Sequence, residues 1–155
     1  MEDFTAFLIE HSALAPEVFL LLAAIALLMF SVFTRDTTRT VTWASVGALA
    51  LAAVLVISQP PEPVTLFDRA FIADGFARFM KVVVLLASAL ALTMSQDYLR
   101  GAKIDIAEFP ILVLLATTGM MLMVSANDLI SLYLALELQS LSLYVIAAIR
   151  RDSLR

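Results

Sequence analysis

The chain has 155 residues, 62% of them hydrophobic and 15% charged, with a mean hydropathy of +0.97 and a formal charge of −4, against about 45–50% and 25% in soluble domains. Long windows carry no charge at all, where a soluble helical bundle would place polar residues along the outer face of every helix; a soluble domain is excluded and an integral membrane protein remains. The absence of cysteine excludes disulfides, thiolate iron–sulfur ligation and thiol catalysis within the chain, and four scattered glycines without a phosphate loop give no support to a nucleotide or flavin site.

Glu2, Asp3, Glu10 and Glu17 precede or open the first apolar run, with no Lys or Arg among them. A cleavable signal peptide has a basic leader, so an uncleaved first helix with its amino end outside fits better. His11, the one histidine, reads as a solvated or interfacial tail residue and not as a metal ligand, and no metal site is expected. Five runs approach or reach the roughly 17–25 apolar residues that a span needs: residues 14–33, 41–58, 79–94, 109–126 and 129–149. The third is short; Lys81 snorkelling to the interface next to Arg78 would let it begin near Ala77, while reaching inward as a charge partner is the less favoured alternative. The expected fold is therefore all-α, a polytopic single membrane domain over residues 1–155.

The connections add detail. Residues 34–40 make a short polar turn. Pro60, Pro61 and Pro63 end the second helix and force extended backbone. The segment that follows carries Phe67, Phe71, Phe76 and Phe79, which suits an interfacial position; helix and hairpin both remain open, since residues 64–67 alternate weakly and Asp74 and Arg78 have helical spacing. Gly101 is a plausible stop for the third helix, and Pro110 sits near the first turn of the fourth. Only Asn127 and Asp128 separate the last two runs, so those helices must be antiparallel neighbours, with Asp128 available as a cap. Arg35, Arg39, Arg100, Lys103, Arg150, Arg151 and Arg155 then lie on one side and Arg69, Arg78 and Lys81 on the other, which predicts N-out, C-in.

Within the spans one acid stands out. Glu137 lies about midway along the fifth run, where an ionised carboxylate costs about 2.5–3.5 kcal/mol on insertion scales. At about 100° per residue, Tyr133, Ser140 and Tyr144 fall on its flank, whereas Ser131, Gln139 and Ser142 point elsewhere. The strip must face other protein or internal water. It is either helix–helix glue around a neutral acid or a proton-carrying site, with Glu137 as its reactive group. Thr117, Thr118 and Ser125 on the fourth run read as packing groups, and Met120, Met121 and Met123 as apolar filler.

The segment NDLISLYLALELQSLSLYVIAAIRRDSLR resembles the fifth transmembrane helix of the antiporter-like membrane subunits of bacterial proton-translocating NADH:quinone oxidoreductase, respiratory complex I. DGFARFMK at the start of the third span and SQDYL at its end resemble them too. The wording is nearer subunit N than subunits L and M or the Mrp-type cation/proton antiporters. The resemblance implies three leading helices followed by two inverted five-helix repeats with broken helices. It also matches Glu137 to the family's glutamate on the fifth helix, which pairs with a lysine on a later helix and couples proton movement to changes in that pairing. It implies a multi-pass protein of the bacterial inner membrane, in contact with lipid, protons and other membrane subunits and with no nucleic acid. No cofactor is expected in this chain; flavin, iron–sulfur clusters and the quinone site belong to other subunits. Ending at Arg155, the chain lacks the later lysines, so a fragment or truncated product is expected. The alternatives are an Mrp-type antiporter subunit and a non-transporting helical scaffold.

Overall fold

A computed structural model describes residues 2–34, 38–59, 62–101 and 106–149. Five helices are long and apolar enough to cross a membrane: α1 (Glu2–Phe33), α2 (Thr38–Ile57), α3 (Gly75–Gly101), α4 (Glu108–Ser125) and α5 (Leu129–Ala148). The segment before the first apolar run, including the backbone of His11, is helical and continuous with α1 rather than a separate tail. The all-helical membrane fold holds, with one addition. Between α2 and α3 lies an antiparallel hairpin of β1 (Val64–Leu66) and β2 (Phe71–Ala73), in register Val64 with Ala73 and Leu66 with Phe71.

The bundle is organised around α4, which packs against α1, α2, α3 and α5. Leu20 and Ala24 of α1, Leu49 and Val56 of α2, Leu85 and Leu92 of α3, and Leu114 and Met121 of α4 form the main core. The polarity of this interior departs from that of a soluble core. Ser45, Ser88, Thr117, Thr118, Ser125 and Ser142 are buried, while Val18, Leu22, Trp43, Val54, Phe79, Leu86 and Leu90 are exposed. Apolar faces outward and small hydroxyls inward suit a bilayer, where lipid solvates leucine and small residues let helices approach. The hydroxyls bond locally: Thr118 donates to the Leu114 carbonyl at 2.9 Å, Thr117 to the Val113 carbonyl at 2.7 Å, and Ser88 and Thr117 share a 2.8 Å bond between α3 and α4.

The helix termini follow from the sequence. The Asp74 carboxylate accepts from the Ala77 amide at 2.7 Å and starts α3 earlier than the apolar count predicts. Asp128 caps α5 by accepting from the Ser131 amide at 2.6 Å. The hairpin, left undecided by the sequence, has an unusual turn: Phe67, Asp68 and Arg69 all take positive φ (53°, 53° and 71°), with no glycine to ease it. Asn127 clasps this turn from the α4–α5 connection, its amide donating to the Ala70 carbonyl at 2.9 Å and its side chain to the Arg69 carbonyl at 2.8 Å. Phe71 also forms a β-bridge with Ala126. The hairpin and the start of α5 are therefore fastened together.

α5 packs chiefly on α4, through the face carrying Ala135 and Ser142. The helices approach closely at Gly119, where an added Cβ would stand 2.8 Å from the Gln139 nitrogen and 3.0 Å from the Ala135 oxygen. Both are backbone atoms and cannot rotate away. Gly119→Ala is expected to push α5 outward and destabilise the bundle by about 1–3 kcal/mol, read as a lowered melting temperature in detergent and a longer α4–α5 spin-label distance. The Ser131 hydroxyl and amide hold the exposed Asp128 carboxyl below its usual value. Because that value is depressed on folding, its contribution is present at neutral pH and is lost only as pH falls below about 3.9 and through the depressed value. The Ser131 amide resonance, followed by NMR through an acid titration, should move in that window and lose the transition in Asp128→Ala.

Candidate functional site

Glu137 lies on α5 about 200° from Ala135 and about 140° from Ser142, the two residues that α5 buries against α4. Its side chain is half-buried and makes no hydrogen bond or ion pair among the described residues. The strip around it opens the same way. Tyr133 and Tyr144 are 62% and 69% exposed, and Ser140, half-buried, returns its hydroxyl to the Leu136 carbonyl at 2.7 Å. So α1 to α4 supply no partner for the strip among the described residues. Ser142, which the helical wheel sets off the strip, is the hydroxyl that turns inward, donating to the Leu138 carbonyl at 2.9 Å. Glu137, Tyr133, Ser140 and Tyr144 share one flank, but that flank faces away from the bundle.

Lys81 behaves differently from its sequence expectation. Instead of snorkelling, it is fully buried, and its Nζ lies 2.5 Å from Oε1 of Glu17 on α1, itself only 3% exposed. The Nζ also stands 4.8 Å from the centre of the Phe71 ring on β2, a cation–π contact. Three elements thus converge on one ammonium.

The geometry explains why. Glu17 lies four residues into the span that begins at Ala13, and Lys81 six residues into the span that begins at Gly75. Both lie toward the amino ends of these spans, on the same side of the bundle. Each charge alone would be costly there, and pairing is the way to keep both. Pro16, buried beside Glu17 in α1, lacks the N–H that would bond one turn back. At that turn Gln59, just beyond the end of α2, adds a bond, its Nε2 donating to the Ala13 carbonyl at 3.1 Å. The available signal was two opposite charges at matched depth in runs that enter from the same side.

Removing only one partner leaves the other charge buried. Lys81→Met is expected to cost about 3–5 kcal/mol, measured as loss of the folded fraction in a denaturant titration of the chain in micelles; an unchanged midpoint would mean that Glu17 is not held as a buried charge.

The curated relatives and the solved structure point the same way. No family model matches the chain. NADH-quinone oxidoreductase subunit N of Paramagnetospirillum magneticum is 53% identical over 141 residues, 90% of this chain and 29% of that protein. The same subunit of Parvibaculum lavamentivorans is 48% identical over 158 residues, all of this chain and 32% of that protein. In solved structures, respiratory complex I from Thermus thermophilus with bound aureothin contains a chain that matches at a TM-score of 0.72 and 25% identity, over 85% of this chain and 28% of that one. The chain thus spans about a third of the length of the relatives it matches, and over nearly all of its own length it groups with NADH-quinone oxidoreductase subunit N.

Proposed function

We propose that the chain works in the membrane arm of a proton-translocating NADH:quinone oxidoreductase, where Glu137 takes up and gives up a proton. The observation that carries this reading is the position of Glu137: an acid midway along α5, on the helix face turned away from α1 to α4 and without a partner among the described residues. The chain covers only about a third of its relatives, so that face is where further protein of the working enzyme would lie.

The chemistry is a matter of charge compensation. A cation brought up to the carboxyl favours the carboxylate; its withdrawal, in a medium of low dielectric, favours the neutral acid, which then holds a proton. One proton is bound and one released each time the cation leaves and returns. Tyr133, Ser140 and Tyr144 lie along the same flank, where hydroxyls both donate and accept and can order the water that delivers the proton. Redox chemistry, with its flavin, iron–sulfur clusters and quinone, is assigned to other subunits, and the membrane to the bacterial inner membrane with N-out, C-in orientation. The neighbours are the other membrane subunits of that enzyme and lipid.

In the intact oxidoreductase, Glu137→Gln is expected to lower proton translocation coupled to NADH oxidation by up to about 100-fold, the lower range for loss of a positioned proton-transferring group. Glu137→Asp, which keeps an acid, should retain a substantial part. Proton uptake measured in vesicles decides it: full coupled translocation by the glutamine variant sinks the assignment. Loss of assembly with normal transport per assembled complex would favour a scaffold.

A further inference from the structure

We propose that Glu17 and Lys81 form a second proton-exchanging site, holding water at the hairpin end of the bundle and separate from Glu137. The proposal rests on the reading that the chain sits in a proton-translocating enzyme.

A static clamp would be expected to saturate its hydrogen bonds, because a buried ion pair is stabilising only when its remaining donors and acceptors are met. This pair does not. Lys81 Nζ and Glu17 Oε1 make an ion pair at 2.5 Å, and beyond that contact neither Glu17 oxygen nor the Lys81 nitrogen has a hydrogen-bond partner among the described residues. Three ammonium hydrogens and two carboxylate oxygens are thus enclosed with a single charge contact and the face of Phe71.

A third buried polar group lies at the same depth. The Ser88–Thr117 bond sets the register of α3 against α4. Seven residues toward the hairpin along α3 is Lys81, and eight residues along antiparallel α4 is Ser125, each about 10–12 Å from that bond. The Ser125 hydroxyl is buried and has no partner among the described residues. Carboxylate, ammonium and hydroxyl at one depth are groups of the kind that a buried water bridges. Glu17 and Lys81 are the two charged residues in the buried core of the described residues. Other charges lie toward the hairpin: Asp68 and Arg69 in its turn, Asp74 at the α3 cap, and Arg78 one turn above Lys81, with interactions of its own.

The exchange is balanced. A proton passes from the Lys81 ammonium to the Glu17 carboxylate, converting the ion pair to amine and carboxylic acid with no change in net charge. The acid gives that proton to water on the hairpin side. The amine takes another from water on the side of the Ser88–Thr117 hydroxyls, which restores the pair. One proton enters and one leaves.

Two variants of the intact oxidoreductase test this, with Glu137→Gln in parallel. Lys81→Arg keeps a cation beside Glu17 but places there a guanidinium that does not deprotonate in proteins. The double variant Glu17→Leu/Lys81→Met replaces the pair by apolar groups of similar volume, a change that buried pairs often tolerate. The expected result is assembled enzyme in which protons translocated per NADH oxidised fall severalfold in both variants. Unchanged translocation in either assembled variant overturns the proposal. So does failure of both to assemble, since that marks the pair as an interlock. If Glu137→Gln alone abolishes translocation, only the second site is lost; if Glu137→Gln is silent while the pair variants are impaired, the assignment of Glu137 fails and the pair stands.

Discussion

In hydrocarbon a polar group has only protein and trapped water to bond with, and this chain is arranged around that constraint. Its helices satisfy their own backbones. The hydroxyls of Thr117 and Thr118 return to carbonyls one turn earlier in α4, and Ser88 meets Thr117 across the α3–α4 contact. Packing on α4 depends on residues small enough to bring backbones together, and Gly119 is one such point. The interior is therefore polar in small units. Among the described residues, its buried full charges lie at the hairpin end.

The hairpin ties these parts together. Phe71 touches the Lys81 ammonium through its ring and Ala126 through its backbone, and Asn127 fastens the strained turn at Phe67–Arg69 to the start of α5. A line of contacts thus runs from Glu17 on α1 through Lys81 and β2 to the helix that carries Glu137. The left-handed residues in the turn have no glycine or asparagine of their own; the asparagine that serves them belongs to another connection. Strain in the loop is offset from outside it.

Much of this was legible in the residues, and the rest was hidden for identifiable reasons. Hydropathy gives length and depth, so the five spans, the α4–α5 adjacency and the Asp128 cap could be read directly. A helical wheel groups Tyr133, Glu137, Ser140 and Tyr144 on one flank, but it does not say where that flank points; the direction is fixed by the burial of Ala135 and Ser142 against α4, with Gly119 set against the Ala135–Gln139 backbone. Lys81 was misread for the same reason. Depth near a helix end suits snorkelling and pairing equally, and the choice depends on the azimuth of Glu17, set by how α1 leans on α4. The choice between helix and hairpin stayed open because Asp68 is the one common turn residue among the three positive-φ positions, and Phe67 and Arg69 give no such signal.

The buried pair also bears on how the chain enters the membrane. Glu17 and Lys81 sit on α1 and α3, with the whole of α2 between them, so α1 is synthesised well before its cation exists. Released into lipid alone, each helix would carry a penalty of up to about 3 kcal/mol for its charge. The cheaper course keeps α1 in a polar shelter, such as the insertion machinery, until α3 arrives and the three helices partition together. The ion pair thereby ties the insertion of α1 to that of α3.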